Sequence, residues 1–149
     1  MGCDFCELPD VKERIIVKNN YAMAFPTNKP IVSGHVLVCP VRCVSRMDEL
    51  NHNETQAMID LIKTMKKALE RTYGADGFNY AWNEGSAAGQ SVPHLHIHVI
   101  PRRKGDSKAF GGEPREFLYR PSAERKLVSD EELQAVARNI RNSIDLQQQ

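Results

Sequence analysis

The spacing of apolar positions changes several times along the chain, and each change marks an element. Ile15-Ile16-Val17-Lys18 reads as a short strand, Asn19-Asn20 as a turn, and Tyr21 to Phe25 as a second apolar strand, which together predict a hairpin. Pro26-Thr27-Asn28-Lys29-Pro30 is a loop. Ser33-Gly34 leads into His35-Val36-Leu37-Val38-Cys39-Pro40, a strand ended by proline. From Asn53 to Tyr73 the spacing becomes helical, with Met58, Leu61, Ile62, Met65, Leu69 and Tyr73 on a recurring face. Asn51 with Glu54 supplies an N-terminal cap and Gly74 a stop. Gly77 to Asn83 reads as a strand that carries the only tryptophan, Trp82. A turn over Gly85 to Gly89 precedes a further strand, His94 to Pro101. Arg102 to Arg125 is rich in Gly, Pro and charge and reads as a long loop or arm. Ser129-x-x-Glu132 is a capping box that opens a C-terminal helix with Leu133, Val136, Ala137, Ile140 and Ile144 on one face, and Gln147 to Gln149 should fray. No repeat or boundary divides the chain. It reads as one domain over 1–149, with a core of about 3–104 and an arm and helix over 105–149.

Composition adds mostly exclusions. A chain of 149 residues supports one real core. A formal net charge of +1 gives no nucleic-acid-wrapping surface. No run approaches a membrane span, and Met1-Gly2-Cys3-Asp4 does not begin a secretory signal, so a cytoplasmic location without a membrane partner is expected. The four cysteines are Cys3, Cys6, Cys39 and Cys43. Cys39 fits a buried strand. Cys3-x-x-Cys6 has zinc-knuckle spacing, but two ligands are not a site, and two more must come from elsewhere.

The chemistry concentrates in Gly89-Gln90-Ser91-Val92-Pro93-His94-Leu95-His96-Ile97-His98-Val99-Ile100-Pro101. Alternation in an extended run puts His94, His96 and His98 on one face and turns Leu95, Ile97 and Val99 into a core. Three imidazoles in a row suit either an open metal site or nucleophilic attack on phosphorus. Neighbouring positions on one strand are nearly collinear, whereas a tetrahedral metal wants diverging ligands, so the nucleophile is the better fit. A neutral imidazole is also a good nucleophile near neutral pH.

His94-Leu95-His96-Ile97-His98-Val99-Ile100 resembles the signature of the histidine triad (HIT) superfamily of nucleotide hydrolases and transferases. Lys29-Pro30 through Gly34-His35-Val36-Leu37-Val38-Cys39-Pro40 resembles its fragile-histidine-triad branch. Asn83-Glu84-Gly85 and Gly89-Gln90-Ser91-Val92 are similar to the family's phosphate-side loop. The likeness runs from Cys3 to about Arg102. It implies an α+β fold: an antiparallel sheet of about five strands, a long helix, a C-terminal helix, and a homodimer paired through Asn53–Tyr73 and Gly77–Asn83. It implies double displacement at the α-phosphorus without a catalytic metal. His96 would attack, His98 would contact the phosphate and assist the leaving group, Gln90 and Ser91 would hold phosphate oxygens, and Asn83 would lie near the 5′ oxygen. Where the family has an Asp or Asn for the ribose hydroxyls, this chain has Thr27, followed by Asn28. The likeness to bacterial-type members also implies a structural zinc on Cys3, Cys6, Cys43 and His94. His52 then reads as a surface residue and His35 as a hydrogen-bonding member of the site wall.

The expected activity is hydrolysis of dinucleoside polyphosphates of the diadenosine tri- or tetraphosphate type. Alternatives are a nucleoside phosphoramidase, a diadenosine polyphosphate phosphorylase, and, in another class, a nucleotide-sensing binding protein. For the arm, one reading has Arg102, Arg103 and Lys104 facing the distal phosphates. The long helix has apolar residues over more than one stripe, which predicts that part of it, with Met65 and the strand residue Trp82, meets the second subunit.

Overall fold

The computed structural model describes Phe5, residues 9–107 and residues 125–147. A short helix α1 (Pro9–Glu13) precedes strands β1 (Val17–Lys18), β2 (Ala22–Pro26) and β3 (Val36–Pro40). Helix α2 (His52–Tyr73), strands β4 (Gly77–Ala81) and β5 (Ile97–Arg102), and helix α3 (Asp130–Gln147) follow. The five strands form one sheet in the order β1-β2-β3-β5-β4, and every neighbouring pair is antiparallel. The α+β sheet-and-helix architecture expected from the sequence is the one observed.

Local chemistry explains the long helix. Asn51 Oδ1 accepts from Glu54 N–H and Glu54 Oε1 accepts from Asn51 N–H, both at 2.9 Å, so two orphan donors of the first turn are satisfied reciprocally. Glu54 is buried, and Arg42 grips its carboxylate at 2.7 Å, which holds its pKa below the usual range. Gly74, left-handed at φ 65°, ends the helix. One side of α2 and the inner side of α3 lie on one sheet face, around Met65, Leu69, Leu95, Val99 and Ile140. A smaller apolar group, Val11, Met23, Phe25, Leu37 and Cys39, covers the other sheet face.

Gly34 shows how tightly the entry to β3 is built. Its φ is +89°, and a Cβ there would fall 2.8 Å from the Tyr73 ring at the end of α2. Glycine alone permits this approach, which fixes His35 against the sheet.

Four details differ from the sequence reading. β1 keeps two residues of the expected four, and β4 ends at Ala81 rather than Asn83. His94 to His96 precede the ladder, because Leu95 N–H is drawn to Val44 O at 2.7 Å and not to a neighbouring strand. Met65 is not left for a partner. It is fully buried, since Ala137, Ile140 and Ile144 of α3 cover the side of α2 that the sheet does not. The expected fraying of the C-terminus falls partly outside the described residues, as the helix is described as far as Gln147.

Candidate active site

Register decides which face the histidines take. Leu37 of β3 and Ala81 of β4 flank His98. Ile97 and Val99 point into the helix-covered core with Leu95, as the alternation predicts. His96 and His98 stand on the opposite face with ring centroids 5.2 Å apart. Phe5 meets His96 edge-on at 5.1 Å and His94 at 5.8 Å.

Hydrogen bonds assign the protons of the ring nitrogens. A carbonyl can only accept, so His96 Nδ1–H donates to His94 O at 2.8 Å, and neutral His96 keeps a bare lone pair on Nε2. His94 Nε2–H likewise donates to Pro40 O at 2.7 Å. The backbone N–H of Ile31 donates to His35 Nδ1 at 3.0 Å, so neutral His35 carries its proton on Nε2. That proton goes to His98 Nδ1 at 2.8 Å. Neutral His98 therefore carries its own proton on Nε2. A backbone amide thus fixes the tautomers of His35 and His98 in series and leaves an N–H on His98, while the His94 carbonyl separately leaves a lone pair on His96.

Burial keeps these rings neutral. It is the largest cause lowering the pKa of each of His35, His94, His96 and His98. For His96 the carbonyl of His94 opposes it. His98 is held down to about 4, by burial first and then by charge on His96 and Arg125.

The wall borders a cleft of about 350 Å³. Thr27, Asn28, Ser91, His96 and His98, all expected from the sequence, line it together. Gln90 and Asn83 are not among its lining residues. The Gln90 amide braces the loop: Oε1 accepts from Gly85 N–H at 2.8 Å and Nε2 donates to Ser45 O at 3.0 Å. Asn83 is exposed. His35 is buried in the wall and His52 is exposed, as expected. Cys3 and Cys6 lie outside the described residues, among which no group of three or more His, Cys, Asp or Glu is placed to hold a metal. Cys43 is exposed and His94 buried. Arg102, Arg103 and Lys104 line a separate hollow with Asp76 to Asn79, and Arg102 is gripped by Asp106 at 2.8 Å and by Asn79 at 2.7 Å. They do not face the cleft.

Sequence reasoning missed Phe5, Arg14, Lys29 and Arg125, which also line it. Arg14 Nε donates to Pro26 O at 3.0 Å, and its guanidinium lies 5.5 Å above the Phe25 ring. Lys29 could have been found, because it adjoins Asn28 in the predicted loop. Arg125 has no local signal and arrives through a contact 96 positions distant.

Neutral His96 and His98 facing a cation-lined cleft make an arrangement that can bind an anion and present it with an imidazole lone pair. Residues 9–105 match the HIT domain model, and the chain belongs to the HIT domain family. It is 35% identical over 102 residues to the asymmetrical bis(5′-nucleosyl)-tetraphosphatase of Schizosaccharomyces pombe, covering 68% of this chain and 56% of that one. It is 41% identical over 95 residues to the bis(5′-adenosyl)-triphosphatase of Saccharomyces cerevisiae, covering 63% and 46%. The chain thus spans about half the length of the curated relatives it matches. Among solved structures it is similar to a zinc-bound histidine triad family protein from Mycobacterium smegmatis, with a TM-score of 0.69 and 26% identity over 90% of this chain and 85% of that one.

Proposed function

We propose that this chain hydrolyses dinucleoside polyphosphates, of the diadenosine tri- or tetraphosphate type, at the α-phosphorus. The observation that carries the reading is the His96 Nδ1–H bond to the His94 carbonyl, which leaves the Nε2 lone pair for attack. His96 Nε2 forms a bond to phosphorus as the bond to the bridging oxygen breaks. The nucleoside polyphosphate then leaves with both electrons of that bond. His98 Nε2–H donates to a phosphate or leaving-group oxygen, and Ser91 holds another. Water attacks the nucleotidyl-imidazole as the P–N bond breaks and its electron pair returns to His96 Nε2; the water's proton passes to solvent and the nucleoside monophosphate leaves. Thr27 and Asn28 face the ribose. Relatives named as tetraphosphatase and triphosphatase support this substrate class.

Chromatography of products from diadenosine triphosphate and tetraphosphate tests the reading. His96→Ala should lower turnover by at least about a thousandfold while nucleotide binding persists. Retention of more than roughly a tenth of the activity excludes His96 as nucleophile.

Two further proposals accompany this reading. Cys3, Cys6, Cys43 and His94 form a set that suits a structural zinc by composition. The Leu95–Val44 backbone bond sets the chain at His94 beside the chain at Cys43, and the His94 Nε2–H bond leaves Nδ1 as the unprotonated nitrogen a metal requires. Zinc there would tie the N-terminal segment to the histidine wall. Second, the chain forms a homodimer through β4, a sheet edge whose Tyr80 is 45% exposed and which Trp82, 46% exposed, directly follows. Pairing two such edges about a two-fold axis satisfies both backbones.

A further inference from the structure

We propose that Arg125 is a substrate-binding residue that holds the phosphates of the leaving group, beyond the phosphorus that His96 attacks; this rests on the dinucleoside polyphosphate reading above. Two bonds place it. Val128 N–H donates to Asn28 O at 2.9 Å, and Arg125 Nη1 donates to Lys29 O at 2.8 Å. They lay the segment ahead of α3 along the loop that carries Thr27 and Asn28. Arg125 thereby enters the wall of the same cleft as His96 and His98, partly shielded from solvent.

Charge then narrows the ligand. Arg14, Lys29 and Arg125 line the cleft, and among the described lining residues there is no Asp or Glu. The whole chain carries a formal charge of only +1, so this is a local concentration of positive potential. The histidines, Ser91 and one cation would serve a single phosphate. A phosphoanhydride chain carries charge on every phosphate and gives the additional cations a role. Arg14 is built into the wall by its Pro26 bond and its place over Phe25. Arg125 instead stands close enough to the triad for its charge to oppose protonation of both His98 and His35. A planar guanidinium beside the reacting centre suits two phosphate oxygens at once, which a lysine in the same place does not match. Neighbouring a wall of neutral rings, it also interacts through less screening than a surface cation would.

The test compares the intact chain with Arg125→Ala and Arg125→Lys on two substrates. Diadenosine triphosphate has phosphates beyond the reacting one, and adenosine 5′-phosphoramidate has none. Arg125→Ala should lower kcat/KM for the first by about 10- to 100-fold, the range for a lost charge-assisted hydrogen bond, and for the second by less than about threefold. Arg125→Lys should recover part of the loss. Equal losses on the two substrates would overturn the proposal, because a merely structural role for the Lys29 bond predicts that result. Calorimetric binding of inorganic tripolyphosphate separates this from the activity itself. If the unaltered chain turns over no dinucleotide, the functional reading fails. Tripolyphosphate affinity then still decides Arg125: a tenfold or greater weakening in Arg125→Ala supports it, and an unchanged affinity refutes it.

Discussion

Lowering the pH probes the histidine wall without changing a side chain. His98 is held down to about 4 in the folded chain against an ordinary 6.5, for reasons visible in the structure: burial first, then the repulsion that a protonated His96 would exert and the charge on Arg125. At about 1.4 kcal/mol for each tenfold change in proton affinity, the gap is worth roughly 3 kcal/mol. The sign follows from which state takes the proton. Between pH 6.5 and about 4 the unfolded chain holds a proton on this residue and the folded chain does not. Stability therefore rises with pH across that window, is fully present above 6.5, and is lost progressively as the pH falls toward 4. The other three buried histidines are shifted in the same direction and add to the slope. Histidine ring-proton NMR from pH 8 to 4, with His98→Asn to assign the signal, reads the titration directly. Thermal unfolding over the same range reads its consequence, and His98→Asn should show the shallower decline. A His98 midpoint near 6.5, or equal declines in the two proteins, would refute the reasoning.

His35→Phe keeps an aromatic ring at the buried position but removes the donor to His98 Nδ1, so kcat should fall about 10- to 100-fold with KM moved less than about threefold; single-turnover kinetics showing an unchanged chemical step would count against the tautomer chain. Protein purified without chelator should contain about one zinc per chain by elemental analysis, and Cys43→Ser should lose both metal and thermal stability; a metal content near zero would end the zinc proposal. Tyr80→Glu with Trp82→Glu should shift light scattering toward monomer while the fold persists, because both side chains are about half exposed. Met65→Glu should instead unfold the chain, since it places an unpaired charge at a fully buried position. A stable monomer for the unaltered protein at micromolar concentration would remove the dimer.

Local signals in the sequence were read well where they set backbone geometry. The helix of α2 follows from its apolar spacing and from Asn51, Glu54 and Gly74, and the structure uses all three as caps. Ser129 likewise accepts from Glu132 N–H at the start of α3. The facing of Leu95, Ile97 and Val99 followed from alternation alone. What escaped was long-range. Helix α3 lies against α2, so a stripe too wide for one sheet is covered at Met65 from within the chain. Gln90 is polar, lies next to Ser91 and belongs to a glycine-rich turn, which is the profile of a phosphate ligand. Its amide also closes the loop between Ser45 and Gly85, a partnership that no spacing encodes. Arg125 ends the Gly-, Pro- and charge-rich arm, and only the meeting of residues 28–29 with 125–128 brings it to the cleft.

Neutral imidazoles and fixed cations serve one purpose in this cleft. A nucleophilic imidazole must be unprotonated, yet a phosphate ligand demands positive charge. Histidines supplying both would have to be charged and uncharged at once. Here the demands are divided. Burial holds His96 and His98 neutral, and arginine, which does not titrate, supplies the charge. On the proposed reading, the Arg125 charge would act on both sides of this division, attracting phosphate while it opposes protonation of His98. A bound phosphate would offset that charge at close range and raise the proton affinity of His98. On that reading, the ring that burial and Arg125 keep neutral would become a better proton carrier once the anion is in place, where a leaving oxygen needs one.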